Sequence, residues 1–143
     1  MTKKKSPPKK PLQDKTKLNA VVETSVYEQH CHHVLRVVAN YFGHKMLDML
    51  ASTRKEKSIA LARQIAMYLS HTHYGVPMTQ VGHSYGRDRT TVGFACRKIE
   101  DRRDEAKLDT IISCLEMLLM NTDAPHVSLL ASASSLKGMP NHV

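Results

Sequence analysis

The stretch MTQVGHSYGRDRTTVGFACRKIE, residues 78–100, decides the fold. Its first half predicts a helix of under two turns, with Thr79 as the N-cap and Gly86 as the left-handed residue that ends it. A longer helix starts at Arg87 to Asp88, where the Asp88 carboxylate suits the free backbone N–H groups and the dipole of a helix start. A short helix, a glycine turn and a longer basic helix together predict a helix-turn-helix.

The second helix of this stretch separates its residues onto two faces. Four small or apolar residues recur at i, i+3, i+4 and i+7 and are predicted to pack inward: Val92, Ala95, Cys96 and Ile99. The outward residues are then Arg89, Thr90, Gly93, Phe94 and Arg97. Arginine and threonine are residue types that read base edges, so we assign base contacts to Arg89 and Thr90 and phosphate contacts to Thr91, Arg97 and Lys98. On these residues alone, a generic basic amphipathic helix stays an equal alternative.

Helical periodicity continues through the flanking sequence. Apolar residues spaced by three and four predict a first helix over about 24–42, ended by Gly43, and a short second helix over 44–51. A basic loop, 52–57, precedes a third helix that ends near His71 to Gly75, before Pro77. A last helix covers 106–120. Because no alternating strand pattern is present, we predict an all-α fold of about six helices.

Charge divides the chain into three parts. The net charge is +8, and residues 1–17 contain seven lysines and one aspartate. We therefore expect a disordered basic arm at 1–20, a helical domain at 21–120 and a flexible tail at 121–143. The arm either lies along phosphates or is a solubilising tail, and both readings stay open. A second basic segment, 52–104, has ten lysines and arginines against five acidic residues, which favours a polyanionic partner.

Several function classes are excluded by the same sequence. No apolar run approaches 18 residues, and no secretory signal is visible, so no membrane association is expected. Cys31, Cys96 and Cys114 are odd in number and widely spaced, which favours reduced thiols in a cytoplasm. The base and phosphate contacts assigned above would make the protein nucleoid-associated. Adjacent residues of a helix point about 100° apart, and the histidines at 30, 32 and 33 contain no i, i+4 pair of the kind that binds a metal. We expect no metal, no cofactor and no enzymatic activity.

The central motif resembles the C-terminal DNA-binding domain of the bacterial replication initiator DnaA. That family has the pattern R-Q-x-A-M-x-L, a short helix containing I-G, and then G-G-R-D-H-T-T-V-x-x-A-C-R-K-I-E. The matching residues here are Arg63, Gln64, Ala66, Met67, Leu69, Val81, Gly82, Gly86, Arg87, Asp88, Thr90, Thr91, Val92, Ala95, Cys96, Arg97, Lys98, Ile99 and Glu100. Strong likeness covers about 70 residues.

This resemblance implies a Trp-repressor-like helical domain that binds short duplex boxes. Major-groove contacts come from Asp88, Arg89, Thr90 and Thr91, and Lys57 or a neighbour lies where the family has a minor-groove arginine. Arg63 and Gln64 hold phosphates. The complete base-reading set is Asp88, Arg89, Thr90 and Lys57, and the complete phosphate-binding set is Arg54, Lys55, Arg63, Gln64, Thr79, Arg87, Thr91, Arg97 and Lys98.

Three departures from the family pattern lie inside the site. Arg89 stands where the family has His, and arginine there favours guanine. Phe94 replaces a second family His. Only one glycine precedes Arg87, so the turn is one residue shorter. These differences predict a DNA preference that differs from the family's box.

The function expected from the sequence is sequence-specific binding of double-stranded DNA in transcription regulation. No G-x-x-x-x-G-K-[ST] phosphate loop is present, so no ATPase activity is expected. The alternative is a regulator of replication initiation that occupies or competes for initiator boxes, and a remote one is a protein–protein adaptor. RNA polymerase and replication proteins are the candidate protein partners, and a monomer or a weak homodimer is expected.

Overall fold

A computed structural model describes residues 11–51 and 56–122, with side chains from residue 16 onward. Helices are the only regular elements in these two ranges, which confirms the prediction of an all-α fold. In chain order they are α1 (Pro11–Phe42), α2 (Met46–Leu50), α3 (Lys57–Thr72), α4 (Met78–Tyr85), α5 (Arg89–Arg102) and α6 (Ala106–Asn121). No helix of the described part combines the length and apolarity needed to cross a bilayer.

The third helix lies at the centre of the core. Its residues from Ile65 to Ser70 are all buried, because α1, α4 and α5 pack around it. The inward face predicted for α5 is confirmed, since Val92, Ala95, Cys96 and Ile99 are buried. From α6, the core receives Leu108, Ile112, Leu115 and Leu119, which recur at helical spacing.

Tyr85, the last residue of α4, joins three helices through its hydroxyl group. It is 1% exposed, and its hydroxyl donates to the Cys31 carbonyl oxygen of α1 at 3.2 Å. The same hydroxyl lies 3.0 Å from Oγ of Ser70, on α3. Burial raises the pKa of the Tyr85 phenol, so it stays a protonated donor. These two contacts fix the end of α4, immediately before the turn, against the core.

We predict that Tyr85→Phe lowers the free energy of unfolding by about 1–3 kcal/mol, because polar partners in a buried site lose their hydrogen bonds. Urea titration of the variant and the parent protein measures this difference. Tyr41→Phe is the matched control, since the Tyr41 side chain is 43% exposed, and its change should stay within about 0.5 kcal/mol. Equal losses in the two variants would show that the Tyr85 hydroxyl contributes nothing specific.

Arg103 adds polar contacts between the sixth helix and the rest of the domain. The Arg103 guanidinium donates to Oδ1 of Asp109 at 2.7 Å and to the Tyr68 hydroxyl at 3.3 Å. Tyr68 in turn donates to Oε2 of Glu100 at 2.6 Å. The hydrogen bond to Tyr68 is the main reason that the pKa of Arg103 is raised, although burial opposes it. This chain of contacts links α3, α5 and α6.

The first helix begins earlier than the sequence predicted. It starts at Pro11 rather than near residue 24, so residues 11–20, expected to be part of a disordered arm, are helical. Proline suits the first position of a helix, and no glycine or proline interrupts residues 12–42. The helix therefore continues past the core, with Leu18, Val21 and Val22 exposed. The expectations for residues 1–10 and for the tail at 123–143 lie outside the described residues.

Two local predictions around the helix-turn-helix were wrong. Pro77, not Thr79, is the N-cap of α4, and it makes no side-chain capping bond. Pro77 lacks a backbone N–H and has an extended conformation, which lets the helix start directly after it. Gly93 is buried rather than outward, because the side chains of Met78, on α4, and Arg97 lie over it. A Cβ atom at Gly93 would be 3.7 Å from Sδ of Met78 and 3.7 Å from a terminal nitrogen of Arg97.

Candidate nucleic-acid interface

The turn between α4 and α5 is a glycine-terminated Schellman motif. Gly86 has φ 67° and ψ 35°, the left-handed conformation that the sequence predicted. The Arg87 N–H donates to the Gly82 carbonyl oxygen at 2.8 Å, and the Gly86 N–H donates to that of His83 at 3.4 Å. Because the motif satisfies carbonyls of the last turn of α4, the chain leaves the helix in one defined direction.

Gly82, on α4, leaves room for the backbone of the turn to pass close to that helix. A Cβ atom at Gly82 would collide with the backbone carbonyl oxygen of Arg87, and it would lie 3.3 Å from the carbonyl carbon of Asp88. The backbone that enters α5 therefore passes directly over α4. No larger residue fits at this position without displacing the start of α5.

Asp88 caps the fifth helix, as the sequence predicted. Its Oδ1 accepts a hydrogen bond from the Thr91 N–H at 2.9 Å. This bond satisfies one of the backbone donors that a helix start leaves without an intrahelical partner. Asp88 is exposed, so the carboxylate that caps the helix also faces solvent. A base contact for Asp88 stays a prediction.

The first turn of α5 presents its side chains to solvent. Arg89, Thr90 and Thr91 are all exposed, and none of these three side chains makes a hydrogen bond or ion pair within the described ranges. Phe94 and Arg97 continue this exposed surface along the helix. We call the surface formed by Arg89, Thr90, Phe94 and Arg97 the outer face of α5. Its polar groups are available to a ligand without breaking internal contacts.

A shallow basic groove lies beside this helix. Its walls come from α3 and α5, and the residues that line it are Lys57, Ala60, Leu61, Gln64, Lys98 and Arg102. Three residues that the sequence assigned to the site, Lys57, Gln64 and Lys98, are thus brought together. The groove adds Arg102, which the sequence analysis missed. Its signal was its position four residues after Lys98, on the same side of the helix.

The side chains of Arg63 and Arg87 are half-buried and donate hydrogen bonds to backbone carbonyl groups. Nε of Arg63 donates to the Met49 carbonyl oxygen at 2.6 Å. Arg87 donates through one terminal nitrogen to the Ala51 carbonyl oxygen at 2.7 Å, and through the other to those of Tyr85 and Gly86. Both guanidinium groups therefore hold backbone at the end of α2. Phosphate contacts for these two arginines stay predictions.

Burial and the charge of Arg87 both act on the pKa of Arg63. Burial lowers the pKa of Arg63, and the positive charge of Arg87 lowers it further. One terminal nitrogen of Arg63, Nη2, is buried and has no hydrogen-bond partner within the described part of the chain. The end of α2 is therefore held by two neighbouring cations.

The remaining predicted residues are divided between the described and undescribed parts. Thr79 is exposed in the first turn of α4, on the helix that precedes the turn. Arg54 and Lys55 lie outside the described residues. Phe94 is exposed, as its predicted place on the outward face requires, although the sequence analysis assigned it no DNA contact.

Known proteins are similar to the part of the chain that contains α4 and most of α5. The family described as bacterial dnaA protein helix-turn-helix matches residues 31–99. Among solved structures, the replication initiator DnaA bound to AMPPCP and single-stranded DNA is similar, with a TM-score of 0.60 and 26% sequence identity. The match covers 72% of this chain but only 31% of that chain. Residues 31–99 therefore form a domain that resembles the DNA-binding helix-turn-helix of DnaA, which supports DNA binding by this protein.

Proposed function

We propose that this protein binds double-stranded DNA sequence-specifically through α4 and α5 and regulates transcription. The observation that carries the proposal is the first turn of α5, where Arg89, Thr90 and Thr91 are exposed on a helix whose start is capped by Asp88. The tight turn at Gly86 holds that helix against α4 in the arrangement of a helix-turn-helix.

The groove beside α5 supplies the electrostatic part of the proposal. With the N-terminal turn of α5 in the major groove, the cations of the flanking surface are Lys98 and Arg102 on α5 and Lys57 at the start of α3. Gln64 and Arg97 add donors for phosphate oxygens. Phosphate contacts fix the orientation of the domain, whereas Arg89 and Thr90 discriminate between bases.

Selection of bound sequences from a random duplex pool tests this proposal. We expect enrichment of one short motif that contains guanine, because Arg89 offers two parallel donors to the guanine O6 and N7 atoms. The similar DnaA structure holds single-stranded DNA, so the selected sequence is also measured as each of its single strands. Tighter binding to the duplex is expected. No enrichment, or stronger binding to single strands, would contradict the proposal.

Substitution of Arg89 gives the most direct test of base reading. We predict that Arg89→Ala weakens binding to the selected sequence by about 1–3 kcal/mol and relaxes the preference at one base pair. Its exposed side chain makes no internal hydrogen bond or ion pair in the described part of the chain, so the free energy of unfolding should not change. Binding to the selected and to random DNA is compared by fluorescence anisotropy. Equal losses on both would make Arg89 a phosphate contact.

A role in replication initiation is the second candidate function. It is favoured by the match of residues 31–99 to the DnaA helix-turn-helix. In this role the protein occupies initiator boxes and competes with the initiator, with replication proteins rather than RNA polymerase as its partners. Chromatin occupancy mapping separates the two candidates, because promoter peaks support transcription regulation and origin peaks support the replication role.

A further inference from the structure

Phe94 is an apolar side chain on a surface that is otherwise polar. It is 60% exposed, whereas Val92 and Ala95, two and one positions away, are buried in the core. Thr90 precedes it by one helical turn, and Arg97 follows it by three residues, both exposed. Because helix residues four apart lie on the same side, Phe94 and Thr90 share the outer face of α5.

Phe94 lies close along α5 to Thr90, the residue for which a base contact is proposed. Four residues of α-helix span about 6 Å, which is less than the rise of about two base pairs. The neighbouring Gly93 has no side chain and lies against α4, near Sδ of Met78. Phe94 is thus the first large side chain after Thr90 on this face, and its ring extends away from the core.

We propose that Phe94 reads the C5-methyl group of a thymine in the major groove, and so sets a thymine preference at one position of the bound sequence. The thymine methyl is the apolar group that a base pair presents in this groove, and phenylalanine is among the side chains that contact it. The inference rests on the proposed function, since it requires α5 to enter the major groove. It adds an apolar contact to the polar ones of Arg89 and Thr90.

A deoxyuridine scan tests the proposal. Each thymine of the selected duplex is replaced in turn by deoxyuridine, which removes the methyl group and leaves the base pair intact. For the unmodified protein, we expect one position at which this change weakens binding about fourfold, the effect of losing one buried methyl group. For Phe94→Ala, we expect weaker binding to the thymine duplex and no further loss at that position.

Controls separate this contact from general effects. Met117→Ala removes a side chain of similar exposure, 62%, on α6, and should keep the full sensitivity to deoxyuridine. Phe94→Leu retains an apolar side chain and should keep part of the sensitivity to deoxyuridine. Thermal unfolding by circular dichroism checks that the Phe94 variants are folded, as their exposure predicts.

Three results would overturn the proposal. If the unmodified protein binds one sequence specifically but tolerates deoxyuridine everywhere, Phe94 reads no methyl group, and the proposed function stands. If Phe94→Ala keeps the full sensitivity, another side chain reads the methyl. If the unmodified protein selects no sequence at all, the proposed function fails and this inference fails with it.

Discussion

Gly82→Ala should lower the free energy of unfolding by about 1–3 kcal/mol, the usual cost of forcing an additional carbon into a packed site. The added Cβ would meet the Arg87 carbonyl oxygen, a backbone atom that moves only if the turn moves. The same carbonyl belongs to the segment that enters α5. We therefore also expect weaker DNA binding, because α5, which carries the proposed base contacts, starts at a displaced position.

Gly93→Ala is the matched control for this substitution. Both glycines lie inside helices and are buried, but the nearest atoms to a Cβ at Gly93 are 3.7 Å away, an ordinary van der Waals distance. Alanine is favoured over glycine in a helix by about 0.8–1.0 kcal/mol, so this variant should be as stable as the parent or more stable. Urea titration gives both values. Equal stability of the two variants would show that the turn adjusts around Gly82 without cost.

Arg87→Ala should lower the free energy of unfolding by about 1.5–3 kcal/mol, the range for hydrogen bonds made by charged groups. The guanidinium contacts the Ala51, Tyr85 and Gly86 carbonyl oxygens, so its loss frees the end of α2 from the turn. Arg89→Ala removes an exposed arginine two residues later and serves as the control for stability. If the two variants unfold at the same urea concentration, Arg87 has no structural role.

The same variant tests the phosphate contact that the sequence predicted for Arg87. Log K for DNA falls with log salt with a slope of about −0.9 for each phosphate contacted. Loss of such a contact makes the slope less negative by about 0.9, whereas a purely structural role weakens binding without changing it. The measurement uses conditions in which the variant is folded.

Local chemistry explains which features could be predicted from the sequence. Gly86 and Asp88 were predicted because a left-handed turn and a helix N-cap each accept few residue types. The inward face of α5 followed from its apolar spacing. Thr79 was assigned as a cap by the same logic, but Pro77 supplied the extended residue first, and the helix began at Met78.

Features that depend on tertiary contacts could not be predicted in this way. Arg63 and Arg87 look like phosphate contacts in the sequence, and only the fold shows that carbonyl oxygens of residues 49 and 51 lie beside them. Gly93 falls on the outward side of α5 by periodicity, yet α4 approaches closely enough to cover it. The groove that joins Lys57 to Arg102 brings together residues of two helices far apart in the chain.

Because α1 starts at Pro11, its first turns extend well beyond the core. Pro11 and Cys31, the first buried residue among the described side chains of the helix, are separated by 20 positions, or about 30 Å along the axis. For a rod of this length, a change of about 10° in the orientation of the core on its ligand moves the Pro11 end by about 5 Å. Small differences in how the core is oriented on two DNA sequences should therefore appear as larger differences in the position of the first turns of α1, which a distance probe near residue 16 could measure.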